Sequence, residues 1–314
     1  MAWCMSLMAV CGCSLIYDYD NCPDEFSVTS DWREAPTAEP EGMAYIFFAD
    51  DTRDFWRYDF PGRYGGVVPL PDGCYHAIGF NDDTSATIIS EPSDGFRGMK
   101  ASTYRSRLYD SVGGGPDSLG SEPVVACPDQ LWMQAIDEVT LTDDGVRWRA
   151  DGSASMEYCP NKILTLFPRA MMASYTYEIT DIKNLSGVRR MCAAMTGMAS
   201  ELSLCDGVRC LPVATLPVKA ARQSDTSVAG SFLTIGLPAE NAVENNLVLY
   251  VWLTDGRKFS YAFDVTDQTR NAPDAMNVHI KVGGIDLPES SPAGEGAFDV
   301  SVDGWVETII NIKG

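Results

Sequence analysis

The stretch "LVLYVWLTDGRKFSYAFDV", residues 247–265, decides the fold class. In its first run, the apolar residues at every second position fall on one face of a strand, and after a short polar turn apolar residues alternate with Lys258, Ser260 and Asp264. The apolar positions are Leu247, Leu249, Val251 and Leu253, followed by Phe259, Tyr261, Phe263 and Val265. Asp255-Gly256 between two alternating runs is a strong signal for a tight turn. The stretch therefore predicts an antiparallel β-hairpin.

Similar runs recur on both sides of this hairpin. They are "EFSVTSDW" (25–32), "GMAYIFFAD" (42–50), "YGGVVPLPDGCYHAIGFNDD" (64–83), "PVVACPDQLWM" (123–133) and "KILTLFPRAMMASYTYEITDI" (162–182). Short runs separated by Gly, Pro, Asp and Asn are typical of antiparallel sheets. We expect the alternating tail "GAFDVSVDGWVETIINIKG" (296–314) to close the sheet of the second half. The pattern predicts an all-β fold.

One segment has a different spacing. In "GVRRMCAAMTGMASELSL", residues 187–204, Val188, Met191, Met195 and Met198 recur near the helical repeat, and alanines fill the positions between them. Gly197 weakens a helix interior by about 1 kcal/mol relative to alanine. We predict one short helix here, with the methionines packed into the core.

Length and charge limit the domain organisation and the partners. A chain of 314 residues, 45% of them hydrophobic, suits two domains. The turn-rich "DDGVRWRADGS" (143–153) places the boundary, so we predict domains over 26–158 and 159–314. Asp and Glu total 44 against 23 Lys and Arg, a net charge of −21. Such a chain repels phosphate backbones, and we exclude nucleic acid as a partner.

The beginning of the chain predicts a lipid anchor. Met1 to Tyr17 contains no charged residue, and the apolar stretch is too short to span a bilayer. Val10-Cys11-Gly12-Cys13 fits a bacterial lipobox, in which Cys13 is acylated and becomes the new N-terminus. Residues 1–13 are then the signal segment and the acidic residues 14–25 a tether. An ordinary cleaved signal or a buried first strand are the alternatives.

Seven cysteines follow Cys13, and their spacing fits no metal site, because no C-x-x-C occurs and the chain has only two histidines. Cys205 and Cys210 are the candidate disulfide, with Asp206-Gly207 at the turn between them. Closing so short a loop stabilises by roughly 2 kcal/mol. The alternative is that the cysteines are scattered buried thiols.

No catalytic constellation emerges from the remaining polar residues. His76 alternates with apolar neighbours and is expected on the core side, while His279 is expected in solvent. No G-x-S-x-G frames a nucleophile, and the acidic clusters near residues 50, 82 and 143 suit β-turns. The glycine-rich "GGGPDSLG" (113–120) lacks the Lys-Ser/Thr of a phosphate loop and is predicted to be a surface loop. We predict no enzyme, no metal and no cofactor.

The order of these features resembles a known family. The lipobox, the tether, "FSVTSDWREAPTAEPEGMAYIFF", "FPGRYGGVVPLPDGCYHAIGFNDDT" and the closing "FDVSVDGWVETIINI" are similar to the DUF5119 lipoproteins of Bacteroidales, a branch of the fimbrillin and fimbrial-anchor superfamily. The resemblance implies two tandem transthyretin-like Greek-key β-sandwich domains, the second with one short helix. It also implies an outer-membrane lipid anchor on Cys13 and a surface role in fimbriae or adhesion.

Two functions are consistent with these features. The first is a fimbrial anchor, accessory subunit or adhesin that binds fimbrial subunits by β-strand addition. The second is a glycan-binding surface lipoprotein of a polysaccharide uptake system, for which Trp56, Trp132 and Trp148 are the candidate stacking residues. A row of exposed aromatic side chains favours the second function, and an exposed sheet edge favours the first.

Overall fold

The protein is described by a computed structural model that covers residues 25–50, 53–149, 155–240, 243–290 and 306–308. The predicted hairpin is confirmed. Asn246–Leu253 and Lys258–Asp264 pair antiparallel, with Trp252 opposite Lys258. Gly256 has a φ of +89°, a conformation that suits glycine in a tight turn.

Strands make up almost all the regular structure of the described residues. The first half contains β1 (Ser27–Ser30), β2 (Gly42–Ala49), β3 (Phe55–Pro61), β4 (Gly66–Val67), β5 (Gly73–Asn81), β6 (Thr87–Ile89), β7 (Lys100–Thr103), β8 (Ser118–Leu119), β9 (Glu122–Pro123), β10 (Trp132–Thr142) and β11 (Gly145–Trp148). The second contains β12 (Glu157–Cys159), β13 (Ile163–Leu166), β14 (Arg169–Ala170), β15 (Ala173–Thr180), β16 (Val188–Ser203), β17 (Arg209–Val218), β18 (Ala221–Arg222), β19 (Val228–Thr234), β20 (Asn246–Leu253), β21 (Lys258–Asp264), β22 (Asn277–Gly283) and β23 (Val306–Thr308). The predicted all-β fold class is therefore confirmed.

A seven-stranded and a three-stranded sheet enclose the first core. The larger sheet has the order β12-β11-β10-β5-β2-β3, with β14 beside β10, and the smaller has the order β13-β1-β4. Their facing side chains form one buried cluster that includes Phe26, Val28, Phe47, Ile136 and Leu164. This is a β-sandwich, because two sheets bury their apolar faces against each other.

A second pair of sheets encloses the second core. The order β23-β21-β20-β16-β7-β6, with β17 beside β16, faces the four-stranded order β18-β19-β15-β22. The inward face of the hairpin contributes Leu247, Leu249 and Val251, which are buried with Tyr175 and Ile280. The strand β23 of the predicted closing tail pairs parallel to β21 at the edge of the larger sheet. The transthyretin-like detail of the fold stays a prediction.

Strand pairing crosses the boundary predicted at 158/159. Beyond the boundary, β13 pairs parallel with β1, and before it β7 pairs antiparallel with β16. A further buried cluster joins the outer face of β2 and β5 to the end of β16, including Ile46, Phe48, Phe80, Met99 and Leu202. The division into 26–158 and 159–314 stays a prediction, and each part supplies a strand to a sheet of the other.

The helix predicted over 187–204 is wrong, because these residues form the sixteen-residue strand β16. Most of the strand is buried on both faces, so apolar residues do not alternate, and the run of Ala and Met imitates the helical spacing. Gly197 has a φ of +72° where the pairing with β17 shifts register between Met195 and Met198. The α-helix of the described residues is the five-residue α1 (Thr266–Arg270), in the second half.

Candidate functional site

The predicted lipid attachment residue, Cys13, lies outside the described residues. Cys205 and Cys210 are described as free thiols. Cys205 lies in the turn between β16 and β17, with its Sγ 3.3 Å from Ser203 Oγ, whereas Cys210 donates to Val208 O at 3.4 Å. Their disulfide therefore stays a proposal, which peptide mapping without reductant would test.

Two other thiols are too buried to react readily. Burial raises the pKa of Cys127 to about 11 and that of Cys192 to about 12. Both are therefore protonated at neutral pH, and a protonated thiol is a poor nucleophile. Cys127 donates a long hydrogen bond to Pro217 O at 3.6 Å, and Cys192 packs in an apolar cluster. Neither side chain has the environment of a catalytic cysteine.

His76 and His279 have different surroundings in the structure. The ring of His76 is half-buried and stacks on Phe96 at 4.6 Å, with Nε2 3.3 Å from Asp50 Oδ1 and Nδ1 2.6 Å from Asp137 O. The exposed His279 contacts Thr176 Oγ1 through Nδ1 at 2.8 Å. Within the ranges that the structure covers, no group of three or more His, Cys, Asp or Glu is arranged to hold a metal ion.

Asp83, near the predicted cluster at residue 82, and Asp129 hold connections between strands. Asp83 accepts hydrogen bonds from Glu41 N at 2.9 Å and Asn81 Nδ2 at 2.7 Å, which fixes the end of β5 beside the start of β2. Asp129 accepts from the backbone and hydroxyl of Ser85 and from Ala86 N, and holds the segment before β6 beside β10. Desolvation raises the pKa of Asp129, but the donated backbone hydrogen bonds outweigh it and the net pKa is lowered.

The three tryptophans proposed for carbohydrate stacking pack inward. Trp148 is 5% exposed, and Trp56 and Trp132 are half-buried against the first core. Trp56 makes an edge contact with Tyr75 at 5.7 Å, and Trp132 a similar contact with Trp32 at 6.5 Å. They form no exposed aromatic row.

Sheet edges are the next candidates, because a strand at an edge presents unpaired backbone groups that can bind another strand. The ten-residue β17 is largely protected on its outer edge. Val125 N donates to Thr215 O at 3.0 Å, and Glu122 accepts from Thr215 Oγ1 at 2.9 Å. Pro212 and Pro217 within β17 have no backbone N–H to offer.

The seven-residue edge strand β22 is capped by a side chain. The amide of Gln268, from α1, accepts from Lys281 N and donates to Lys281 O, each at 2.9 Å. This pair of bonds reproduces what a neighbouring strand would make, so Gln268 occupies the middle of that edge. Sequence reasoning missed Gln268, since a glutamine in a polar segment carries no signal of its tertiary partner.

In the part of the chain that the structure covers, the seven-residue β3 is a long edge strand with no strand paired to its outer side. Ala49 N donates to Asp54 O at 3.0 Å and Gly62 N to Glu41 O at 2.6 Å, so even-numbered residues of β3 bond to β2. Because backbone groups alternate in direction along an antiparallel strand, Phe55, Arg57 and Asp59 direct their N–H and C=O groups outward. The other edge strands in these sheets, β4, β6, β12, β13, β18 and β23, have two to four residues.

The β3 edge carries charged and aromatic side chains. Arg57 Nε lies 2.8 Å from Asp59 Oδ1, and both side chains are exposed. Phe55 is 42% exposed, and the Asp82 carboxylate interacts electrostatically with Asp59 and Arg57. Desolvation and repulsion from Asp59 raise the pKa of Asp82, and Arg57 opposes this shift. Exposed charges on an edge hinder unselective sheet pairing but permit a complementary strand.

Three solved structures are similar to this chain. An adhesin candidate from Bacteroides ovatus aligns with 91% of this chain and 100% of its own, at 16% identity and a TM-score of 0.65. Another from the same species aligns with 82% and 87%, at 8% identity and a TM-score of 0.51. The fimbrial anchor protein Mfa2 from Porphyromonas gingivalis aligns with 82% and 90%, at 13% identity and a TM-score of 0.48. At these identities, the two Bacteroides ovatus alignments show a shared fold alone.

The family follows from sequence. Residues 12–218 match the family described as "Domain of unknown function (DUF5119)", and the chain belongs to that family. No curated protein matches the chain significantly. In the part of the chain that the structure covers, no helix has the length and apolarity needed to cross a membrane.

Proposed function

We propose that this protein is a surface subunit of a fimbrial or adhesive assembly, which accepts an extended strand from a neighbouring subunit at the edge of β3. The observation that carries the proposal is the contrast between edges: β22 is capped by Gln268 and β17 is covered by residues 122–127, whereas no described residue pairs with the outer side of β3. The adhesin-type fold supports the same class of function.

Strand addition suits the chemistry of this edge. An incoming strand gains affinity from main-chain hydrogen bonds and specificity from side chains at alternate positions. The outward residues of β3 offer backbone groups at three positions, and Arg57 and Asp59 offer one charge of each sign. A partner strand with an acidic and a basic side chain at matching positions fits better than an apolar one.

The anchoring part of the proposal rests on Cys13. An acylated Cys13 followed by the acidic residues 14–25 would hold the sandwiches at the outer membrane, facing the cell surface. Two or more acyl chains give stable attachment, whereas one gives only weak attachment. Labelled fatty acid should enter the wild-type chain and not Cys13→Ala, and equal labelling of both would contradict this assignment.

The test of strand addition replaces one outward backbone donor. Arg57→Pro removes the N–H of residue 57 without removing a bond to β2, and Pro61 shows that proline is accepted at an outward position of this strand. Arg57→Ala is the matched control, because it removes the same side chain and keeps the N–H. A gene-deletion strain complemented with each variant is examined by electron microscopy and cell fractionation.

Wild-type and Arg57→Ala chains should restore the number, length and attachment of fimbriae, and Arg57→Pro should not. Circular dichroism of each purified variant establishes that the fold is intact. Unchanged fimbriae in the deletion strain would refute a fimbrial role altogether. Full restoration by a folded Arg57→Pro variant would refute the β3 edge as the acceptor.

A further inference from the structure

Both faces of the hairpin strand β20 are apolar, the outer face as well as the inner one. Val248, Tyr250 and Trp252 alternate with the core residues of that strand. The loop between β7 and β10 covers part of this face, and its Leu108 and Tyr109 are buried with Val248 and Tyr250. Trp252, at the end of the strand, is only partly buried. Trp252 is therefore less deeply buried than Val248 and Tyr250 on the same face.

A cleft of about 460 Å³ opens at this point. Tyr109 and Trp252 form its aromatic wall, with their ring centroids 5.4 Å apart and the planes at 86°. Gly113, Gly114, Gly115 and Pro116, from the glycine-rich stretch singled out in the sequence, form the rim. The size is that of a small-molecule site, and the rim has no bulky side chain to obstruct it.

The rim is built in a defined conformation. Tyr109 has a φ of +66°, which is unusual for a bulky residue and points to a constrained site. Its carbonyl accepts from Val112 N at 2.8 Å and Gly113 N at 2.9 Å, which closes the loop on itself. A Cβ at Gly115 would lie 2.3 Å from Tyr109 Cδ2, so the loop backbone packs directly against the ring. The aromatic wall and the rim are thus held together before any ligand binds.

Two cations flank the tryptophan. In the sheet register, Trp252 lies opposite Lys258 of β21 on one side and opposite Arg190 of β16 on the other. Directly opposite residues share a face of the sheet, so the three side chains form a row. Arg190 Nη1 donates to Val112 O at 3.2 Å and supports the rim, while Lys258 lines the cleft. In a chain of net charge −21, the described lining of this cleft includes a lysine.

We infer that this cleft binds a sugar that carries a carboxylate, such as a uronic or sialic acid. The apolar face of a pyranose ring suits an aromatic wall, and its carboxylate suits the ammonium group of Lys258 through a charge-assisted hydrogen bond. The absent side chains of the glycine rim let the ring approach the backbone. This inference does not depend on the β3 edge, which lies in another sheet.

The test titrates the purified chain with D-glucuronic acid, N-acetylneuraminic acid and the neutral methyl glucoside, using isothermal calorimetry and saturation-transfer NMR. At least one of the acidic sugars should bind more tightly than methyl glucoside. Preference for glucuronic acid would point to a bacterial polysaccharide as the source, and preference for N-acetylneuraminic acid to a host glycan. Equal binding of all three sugars, or no binding, would overturn the inference.

Lys258→Gln should weaken binding of the preferred acidic sugar about tenfold, equivalent to about 1.4 kcal/mol, and leave methyl glucoside unchanged. Lys281→Gln is the matched control, because it removes the same charge from an exposed position in the other sheet of the second sandwich and should change neither. Trp252→Leu should weaken both kinds of sugar. Melting curves establish that each variant is folded, and an unchanged affinity in a folded Lys258→Gln variant would refute the role of this cleft.

Discussion

Replacing Gly197 by alanine distinguishes the strand from the helix that the sequence predicted. In a helix interior, alanine is more stable than glycine by about 1 kcal/mol, so the substitution should stabilise the fold. In the bulged strand β16, Gly197 has a φ of +72°, and an L side chain in that region costs about 1–2 kcal/mol. The helix and the strand therefore predict changes of opposite sign in the free energy of unfolding.

Close contacts add to the cost. A Cβ at position 197 would lie 2.6 Å from Asn245 Nδ2 and 2.8 Å from Glu244 O. The buried Asn245 side chain donates to Thr196 O at 3.2 Å and to Gly197 O at 3.0 Å. Displacing it breaks at least one buried hydrogen bond, at about 1–3 kcal/mol. The smaller conformational entropy of unfolded alanine offsets about 0.4–1 kcal/mol, which leaves a net destabilisation of about 1–4.5 kcal/mol.

Urea unfolding followed by tryptophan fluorescence measures this change. Gly256→Ala is the control, because Gly256 also has a positive φ, +89°, but a Cβ there meets nothing within 4 Å. That variant should lose about 1 kcal/mol from strain alone. A Gly197→Ala chain as stable as the wild type, or more stable, would refute the bulged strand, and equal losses in both variants would refute the contact with Asn245.

Three further predictions concern single side chains. Asp129→Asn should lower the free energy of unfolding by about 1.5–3 kcal/mol at pH 7, because a charged acceptor of three hydrogen bonds is lost. Since the folded pKa of Asp129 is lowered, its contribution is present above the ordinary pKa of 3.8 and is lost as the pH falls through the folded value, so the two chains should converge in urea titrations at acid pH. Gln268→Leu should cost about 1–2 kcal/mol for its two hydrogen bonds and increase self-association in analytical ultracentrifugation by freeing the β22 edge, whereas Gln223→Leu, whose hydrogen bond is long at 3.5 Å, should do neither. Alkylation by iodoacetamide at neutral pH, followed by mass spectrometry, should modify the exposed Cys74 before the buried Cys192, and the reverse order would contradict the packing of Cys192.

The sequence predicts the fold where one face of a strand is polar. In the hairpin, Lys258, Ser260 and Asp264 alternate with core residues, so the period of two is visible. In the middle of β16 both faces are covered, one by the sheet opposite and the other by the loop that contains Tyr109, so residues 191–195 include no polar side chain that marks the period. Local pattern therefore fails in this long strand inside the larger sheet of the second sandwich.

The candidate sites depend on contacts between distant residues, which no local pattern encodes. The role of Gln268 can be recognised only when β22 is known to lie beside α1. The role of β3 can be recognised only when the strands at the other sheet edges are known. Trp252 does have a sequence signal: in "LVLYVWL" the positions between the core residues are themselves Val248, Tyr250 and Trp252. An apolar outer face in a hairpin indicates that something covers it, and its less buried end is a candidate site.

The pairing of β1 with β13 constrains the order in which the chain can fold. Ser27 meets Ile163, a separation of 136 residues, and Ala101 meets Leu202, a separation of 101 residues. During synthesis or export, the first sheets cannot close until β13 has emerged. At that point β16 has not yet emerged, so β7 has no partner strand from the second half, and among the described strands β6 pairs only with β7. Contacts so distant in sequence form slowly, since loop closure must precede them. A chain exported from its N-terminus would therefore keep the edges of its first sheets exposed through more than half of its passage, which creates a need for a holding chaperone.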